Sequence, residues 1–104
     1  VYSSTTGRVA TIIRRASCGG NQIYINHTVK GKNYLTVYKH LASINVSVGK
    51  LVTATTKIGT VGGGSNTPWD YCSTGPHLHF ETAYGHYRTN YYYSTFNPRS
   101  VINF

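Results

Sequence analysis

Hydrophobic and polar residues alternate along most of the chain, in short runs separated by Gly, Asn and Ser. A period of two is that of a β-strand, whose successive side chains point to opposite faces of a sheet. β-Branched and aromatic residues are frequent in these runs, and nothing in the pattern indicates a strong helix. The pattern predicts strands over residues 7–15, 22–28 and 34–40, an alternating run over 44–48, and further short strands over 50–55 and 57–61.

The alternation also predicts which side chains share a face. In the first strand the two faces are Val9, Thr11 and Ile13 against Ala10 and Ile12. In the third they are Tyr34, Thr36, Tyr38 and His40 against Leu35 and Val37. The Lys-Gly-Lys-Asn run at 30–33 predicts a hairpin turn between the second and third strands. The expected fold is all-β, a single antiparallel β-sheet or β-sandwich domain with long loops around a groove.

Two histidines stand out near the C-terminal third, in the run Gly-Pro-His-Leu-His-Phe-Glu at 75–81. If this run is a strand, His77, His79 and Glu81 share one face, while Leu78 and Phe80 lie on the other and can enter a core. Two histidines on one strand face suit metal ligation, or a ligand next to a proton-transfer group. The isolated residues His27 and His86 are expected to be ordinary surface or core histidines.

Composition narrows the function classes. The 104 residues fit one domain, and no apolar run approaches the ~18 residues of a membrane span. Ten Lys and Arg against two acidic residues give a net charge of +8, which attracts polyanions. The cations are scattered and form no nucleic-acid recognition motif, so we expect no specific nucleic-acid partner. An anionic cell envelope is the other obvious partner, and a purely solubilising charge is the alternative.

The two cysteines, Cys18 and Cys72, match neither a zinc-binding spacing nor a redox Cys-x-x-Cys motif. A disulfide between them is favoured and would indicate an oxidising, extracellular setting. Two unpaired thiols in an intracellular protein remain the alternative.

The run Ser-Thr-Gly-Pro-His-Leu-His-Phe-Glu at 73–81 strongly resembles the signature of the lysostaphin-like zinc endopeptidases, which cut peptide cross-bridges in bacterial peptidoglycan. Further matching pieces follow the family's order, at residues 7–9, 20–27, 38–41, 48–49 and 58–59. The resemblance runs from residue 1 to about residue 81. It implies a secreted or cell-envelope hydrolase that acts on peptidoglycan, with anionic cell-wall polymers as further partners.

The resemblance also implies residue roles. His79 corresponds to a zinc ligand, His77 to the general base that takes a proton from the zinc-bound water, and His40 to a histidine that orients water or stabilises the oxyanion. Independently of the resemblance, Glu81 on the same face could steady His79 by a hydrogen bond, or it could simply be exposed. A Cys18–Cys72 bridge would pin one rim of the active-site groove.

The sequence departs from the family at one motif. The family's other two zinc ligands come from a His-x-x-x-Asp motif that precedes a Val-Tyr-(Ala/Ser) stretch like residues 1–3, and no such motif occurs in the 104 residues. We therefore expect residues 1–104 to be one lysostaphin-like peptidase domain truncated at its N-terminus. By itself, such a chain would bind zinc weakly or not at all, and it could be inactive without the two missing ligands.

Two other functions are compatible with parts of the pattern. A non-catalytic wall-binding or regulatory module of the same fold would keep the groove without the metal. A lipoyl or biotinyl carrier domain is suggested by residues 48–52 followed by 58–59, but no modifiable Lys sits in a suitable tight turn. The sequence does not indicate which cross-bridge is cut.

Overall fold

The structure, a computed structural model, describes residues 1–3, 5–16, 20–62 and 78–87. These residues form six strands: β1 (Gly7–Ala16), β2 (Gly20–Val29), β3 (Lys32–Ile44), β4 (Leu51–Val52), β5 (Gly59–Val61) and β6 (His79–Tyr84). Every strand pairing is antiparallel, so the predicted all-β antiparallel sheet is confirmed. No helix in the part of the chain that is described has the length and apolarity to span a membrane.

The long strand β3 lies inside the sheet, with β2 on one side and β5 and β6 on the other. The strand order is β4-β1-β2-β3-β5, and β6 also pairs with β3. On its outer side, residues 34–39 of β3 pair with β6 and residues 41–44 pair with β5. Consequently β3 has a neighbour on both sides, and its pairing with β6 positions the backbone of His79, the first residue of β6.

Each face of the sheet carries its own apolar cluster. The larger one consists of Val9, Ile23, Ile25, Tyr38, Leu41, Val46, Val52 and Ile58. The smaller one consists of Tyr24, Leu35, Val37 and Ala83, with Tyr87 packed against it. Adjacent residues such as Val37 and Tyr38 therefore bury their side chains on opposite faces, as strand alternation requires.

The hairpin between β2 and β3 is tighter than the predicted turn over residues 30–33. Only Lys30 and Gly31 form the loop, because Val29 already pairs with Lys32. Both loop residues have positive φ, 51° and 76° respectively. A two-residue loop with positive φ at both positions is a type I′ turn, whose twist matches that of the flanking strands.

A bulge in β1 corrects the predicted faces of that strand. Val9 pairs with Ile25 and Thr11 with Tyr24, so Ala10 is an extra residue. The extra residue resets the alternation. As a result Ile12 packs against the same cluster as Val9, whereas Ile13 is exposed. The prediction that Val9 and Ile13 share a face is wrong for this reason.

The predicted strands between residues 44 and 61 are shorter than expected. Only Ile44 of the alternating run lies in a strand, although Val46 is buried. The run over 50–55 contracts to β4 because a turn follows it, closed by the Thr56 N–H donating to the Thr53 carbonyl at 3.0 Å. The run over 57–61 contracts to β5, with Lys57 forming an isolated bridge to Tyr2.

Candidate active site

Strand β6 presents His79 on one defined face of the sheet. Its backbone pairs with β3 so that Lys39 faces His79, Tyr38 faces Phe80 and Val37 faces Glu81. The Phe80 ring packs against the larger cluster, with its centroid 5.1 Å from that of Tyr38. His79 and Glu81, on alternate positions, therefore belong to the opposite face.

The predictions for Leu78 and His77 concern residues that precede the first residue of β6. Leu78 precedes β6 and is 39% exposed, so the prediction that it enters a core is wrong. The reason is that the strand begins only at His79, so Leu78 lies before the stretch whose backbone is paired with β3. His77, Cys18 and Cys72 lie outside the described residues, as does the side chain of His79.

A bulge in β3 changes the predicted face of His40. Ile23 pairs with Tyr38, and Asn21 pairs with Leu41. The step from Tyr38 to Leu41 is three residues, whereas the facing step from Ile23 to Asn21 is two, so β3 has one extra residue here. His40 has φ 63°, in the left-handed region. Tyr38 and Leu41, three positions apart, both belong to the larger cluster, which is possible only if the alternation is reset between them.

The reset aligns His40 with His79. Simple alternation predicts His40 on the face of Tyr38. Because the bulge resets the alternation and Leu41 shares the face of Tyr38, His40 lies instead on the face of Lys39. Since Lys39 is the pairing partner of His79, His40 and His79 occupy neighbouring strands one residue out of register. His40 is buried, and its carbonyl accepts a hydrogen bond of 2.8 Å from the Gly62 N–H.

Asn21 holds this irregular backbone in place. Its buried amide donates from Nδ2 to the Leu41 carbonyl at 2.9 Å, directly after the bulge. Its Oδ1 accepts from the Arg15 N–H at 2.9 Å, where β1 is also irregular. The sequence does not indicate this role of Asn21, because its partners Arg15 and Leu41 reach it only through the pairing of β2 with β1 and β3.

The face around His79 is polar and aromatic. Glu81 Oε2 lies 3.4 Å from Lys39 Nζ, so this carboxylate forms an ion pair across β6 and β3. The Tyr24 hydroxyl donates to Gln22 Oε1 at 2.9 Å, and its ring meets that of Tyr87 edge-on at 5.3 Å. Burial raises the pKa of the Tyr24 phenol, and the negative charge of Glu81 adds to the effect.

His27 has a structural environment. It is buried, with Nδ1 2.9 Å from the Thr6 carbonyl and Nε2 2.7 Å from Thr36 Oγ1. Since a carbonyl only accepts, Nδ1 carries the proton and the Thr36 hydroxyl donates to Nε2. Burial lowers the pKa of His27 despite the opposing Thr6 hydrogen bond. A Cβ on Gly7 would lie 2.6 Å from Nδ1, so only glycine fits beside this ring.

The described residues do not form a metal centre by themselves. Among them no three His, Cys, Asp or Glu side chains lie close enough together to hold an ion. Across the whole sequence, the one Asp is Asp70, and Asn66 stands four positions before it. The residues present therefore do not fit a complete zinc site of the expected His, Asp and His type.

Comparison with known proteins gives a consistent result. The model of peptidase family M23 matches residues 1–91, which extends beyond Glu81, where the sequence motifs end. The peptidoglycan DD-endopeptidase ShyA of Vibrio cholerae is 37% identical over 81 residues, covering 78% of this chain and 16% of that protein. The chain thus spans about a sixth of the length of this curated relative.

Solved structures share the fold. The catalytic domain of the antimicrobial peptidase lysostaphin from Staphylococcus simulans superimposes with a TM-score of 0.73 at 29% identity, covering 96% of this chain and 67% of that chain. A zinc-containing peptidase from Vibrio cholerae gives a TM-score of 0.61 at 36% identity, covering 79% of this chain and 22% of that chain.

Proposed function

We propose a function that starts from one fact: this chain belongs to peptidase family M23. The proposed activity is hydrolysis of peptide cross-bridges in bacterial peptidoglycan, by a protein that is secreted or bound to the cell envelope. The observation that carries the proposal is the bulge in β3, which brings His40 next to the pairing partner of His79 on one sheet face. The relative ShyA acts on peptidoglycan, and a net charge of +8 suits an anionic wall.

The proposed roles are those that the motif implies. His79 supplies one zinc ligand, His77 accepts a proton from the attacking water, and His40 orients that water or stabilises the oxyanion. Bound zinc would lower the pKa of water to about 7 and polarise the scissile carbonyl. A neutral histidine can then act as general base. The buried position of His40 favours a fixed ring orientation.

The remaining ligands are proposed to come from outside these 104 residues. The sequence holds no His-x-x-x-Asp motif, so His79 is the single ligand that the family pattern assigns here. Residues 1–104 are then the larger part of one peptidase domain, whose metal is completed by the full protein. The chain alone would be inactive or nearly so.

The test uses purified peptidoglycan and counts newly released amino groups, in the longest form of the protein that its source encodes. His40→Asn should lower the rate by about a hundredfold or more, the size typical of a lost acid–base group. Asn tolerates left-handed backbone, so the bulge should survive the change. Lys30→Asn is the matched control, because Lys30 is also a non-glycine residue with positive φ, and it should leave the rate unchanged. A His40→Asn protein with full activity would contradict the proposal.

A non-catalytic wall-binding module of the same fold is the second candidate, and the single assigned zinc ligand favours it. The same preparation distinguishes the two functions. The module would sediment with peptidoglycan and release no amino groups in any form, with zinc supplied. The hydrolase would release amino groups in a form that contains all three ligands.

A further inference from the structure

A depression of about 400 Å³ opens on the same face of the sheet as His79. Its lining includes Arg8 and Asn26, which pair with each other across β1 and β2. The row continues from Asn26 to Leu35 in β3 and from Leu35 to Ala83 in β6. Directly paired residues share a face, so the depression lies on the side of the sheet to which His79 belongs by alternation. Between the two, Leu35 and Ala83 are buried, with Tyr87 packed against their cluster.

The two sites are at opposite ends of the strands. From His79 to Ala83 is four residues, about 13 Å along β6, and from β6 to β1 is three strand spacings, about 14 Å. Arg8 is therefore roughly 20 Å from His79 across the face.

The depression offers hydrogen-bond donors that are already held in position. Arg8 Nη1 donates to the Gly49 carbonyl at 2.7 Å, which fixes the guanidinium and leaves its other N–H groups without a partner in the part of the chain that is described. Asn26 Oδ1 accepts from the Tyr87 N–H at 2.8 Å, so its NH₂ group remains as a donor. His86 forms the third wall, with Nε2 donating to the His27 carbonyl at 2.8 Å.

The charge of the lining suits a single anion. Arg8 is its one cation, and none of the described lining residues is acidic. Leu51, which is 59% exposed, adds an apolar wall beside Arg8. A phosphate polymer would need a row of cations to bind tightly, whereas one guanidinium with a neighbouring amide matches one carboxylate.

We propose that this depression binds the free carboxylate end of a peptide, with Leu51 contacting the last small side chain. The cell-wall origin of that peptide rests on the proposed function. The binding itself does not depend on zinc or hydrolysis.

The test is an NMR titration of the ¹⁵N-labelled chain at low salt, without zinc. Acetyl-Ala-Ala-Ala with a free carboxylate should shift the amides of Thr6, Gly7, Thr28 and His86, and its C-terminal amide should bind about tenfold more weakly. Arg8→Gln should weaken the carboxylate form by about the same factor. Lys57→Gln removes an exposed cation outside the depression and should change nothing.

Several outcomes would overturn the proposal. Equal binding of the carboxylate and the amide, an equal loss in Lys57→Gln, or stronger shifts with inorganic phosphate than with the peptide would each do so. If Arg8→Gln lowers the melting temperature, the comparison of the two peptides on the unmodified chain decides. Absence of peptidoglycan hydrolysis would refute the proposed function but would not affect the result of the peptide titration.

Discussion

At the scale of single residues, the environment decides what each histidine does. His27 is buried between Thr6 and Thr36, with both ring nitrogens engaged. His40 sits on left-handed backbone in a bulge, on the face of His79. The residue type alone could not separate these roles. The neighbouring Tyr-x-His-Leu run assigned His40 by resemblance, and the buried hydrogen bonds of His27 depend on β1 and β3 coming together.

The burial of His27 predicts a loss of stability in acid. Its folded pKa lies below the ordinary value of 6.5, so the unfolded chain takes up a proton at a pH where the folded chain does not. This contribution is complete above about pH 6.5 and is lost as the pH falls. The melting temperature should therefore drop between pH 7.5 and 5.5, and less steeply in His27→Asn, whose amide can still donate to Thr6. Equal slopes in the two proteins would contradict the assignment.

At the scale of elements, alternation predicted the three long strands but not their irregularities. The first three strands are present close to their predicted bounds, and Val9, Leu35 and Val37 are buried. The bulges at Ala10 and His40 could not be read from one strand, because a bulge is defined by the register with its neighbour. The Asn21 contacts that hold the second bulge join residues 20 positions apart.

The type I′ turn predicts a stabilising substitution. Lys30 adopts φ 51°, a conformation that costs a non-glycine residue about 1 kcal/mol and that Asn tolerates better. Lys30→Asn should raise the free energy of unfolding by about 0.5–1 kcal/mol in urea denaturation. Lys32 is the first residue of the extended strand β3, so Lys32→Asn should not raise the free energy of unfolding. Equal effects at both positions would mean that lost charge, rather than turn geometry, is responsible.

The proposed Cys18–Cys72 bridge is testable by mass spectrometry. Alkylation of the denatured chain without reductant should add no label if the bridge is present, and two labels after reduction. Loss of the bridge should destabilise the chain by about 2–4 kcal/mol, since it closes a long loop. Two labels without reductant would refute the proposal.

At the scale of the whole molecule, the sheet separates two apolar clusters, and the candidate site residues belong to the side of the smaller one. The larger cluster packs on one side of the sheet, while His40, His79, the Lys39–Glu81 pair and the Arg8 depression belong to the other side, where the smaller cluster separates the depression from the candidate active site. Family motifs predicted the fold, which is confirmed, and the site residues, which stay a prediction. They did not reveal the depression, because Arg8, Asn26 and His86 are far apart in sequence and meet only through strand pairing.

We propose that these 104 residues contribute one zinc ligand, His79, and the histidines that assist it. Zinc stoichiometry after equilibrium dialysis tests this most directly, on the 104-residue chain, on the longest form that the source encodes, and on His79→Ala in that form. We expect little zinc on the short chain, one zinc on the long form, and loss of zinc in His79→Ala. Tight, equimolar zinc on the 104-residue chain, or retention of zinc by His79→Ala, would contradict it.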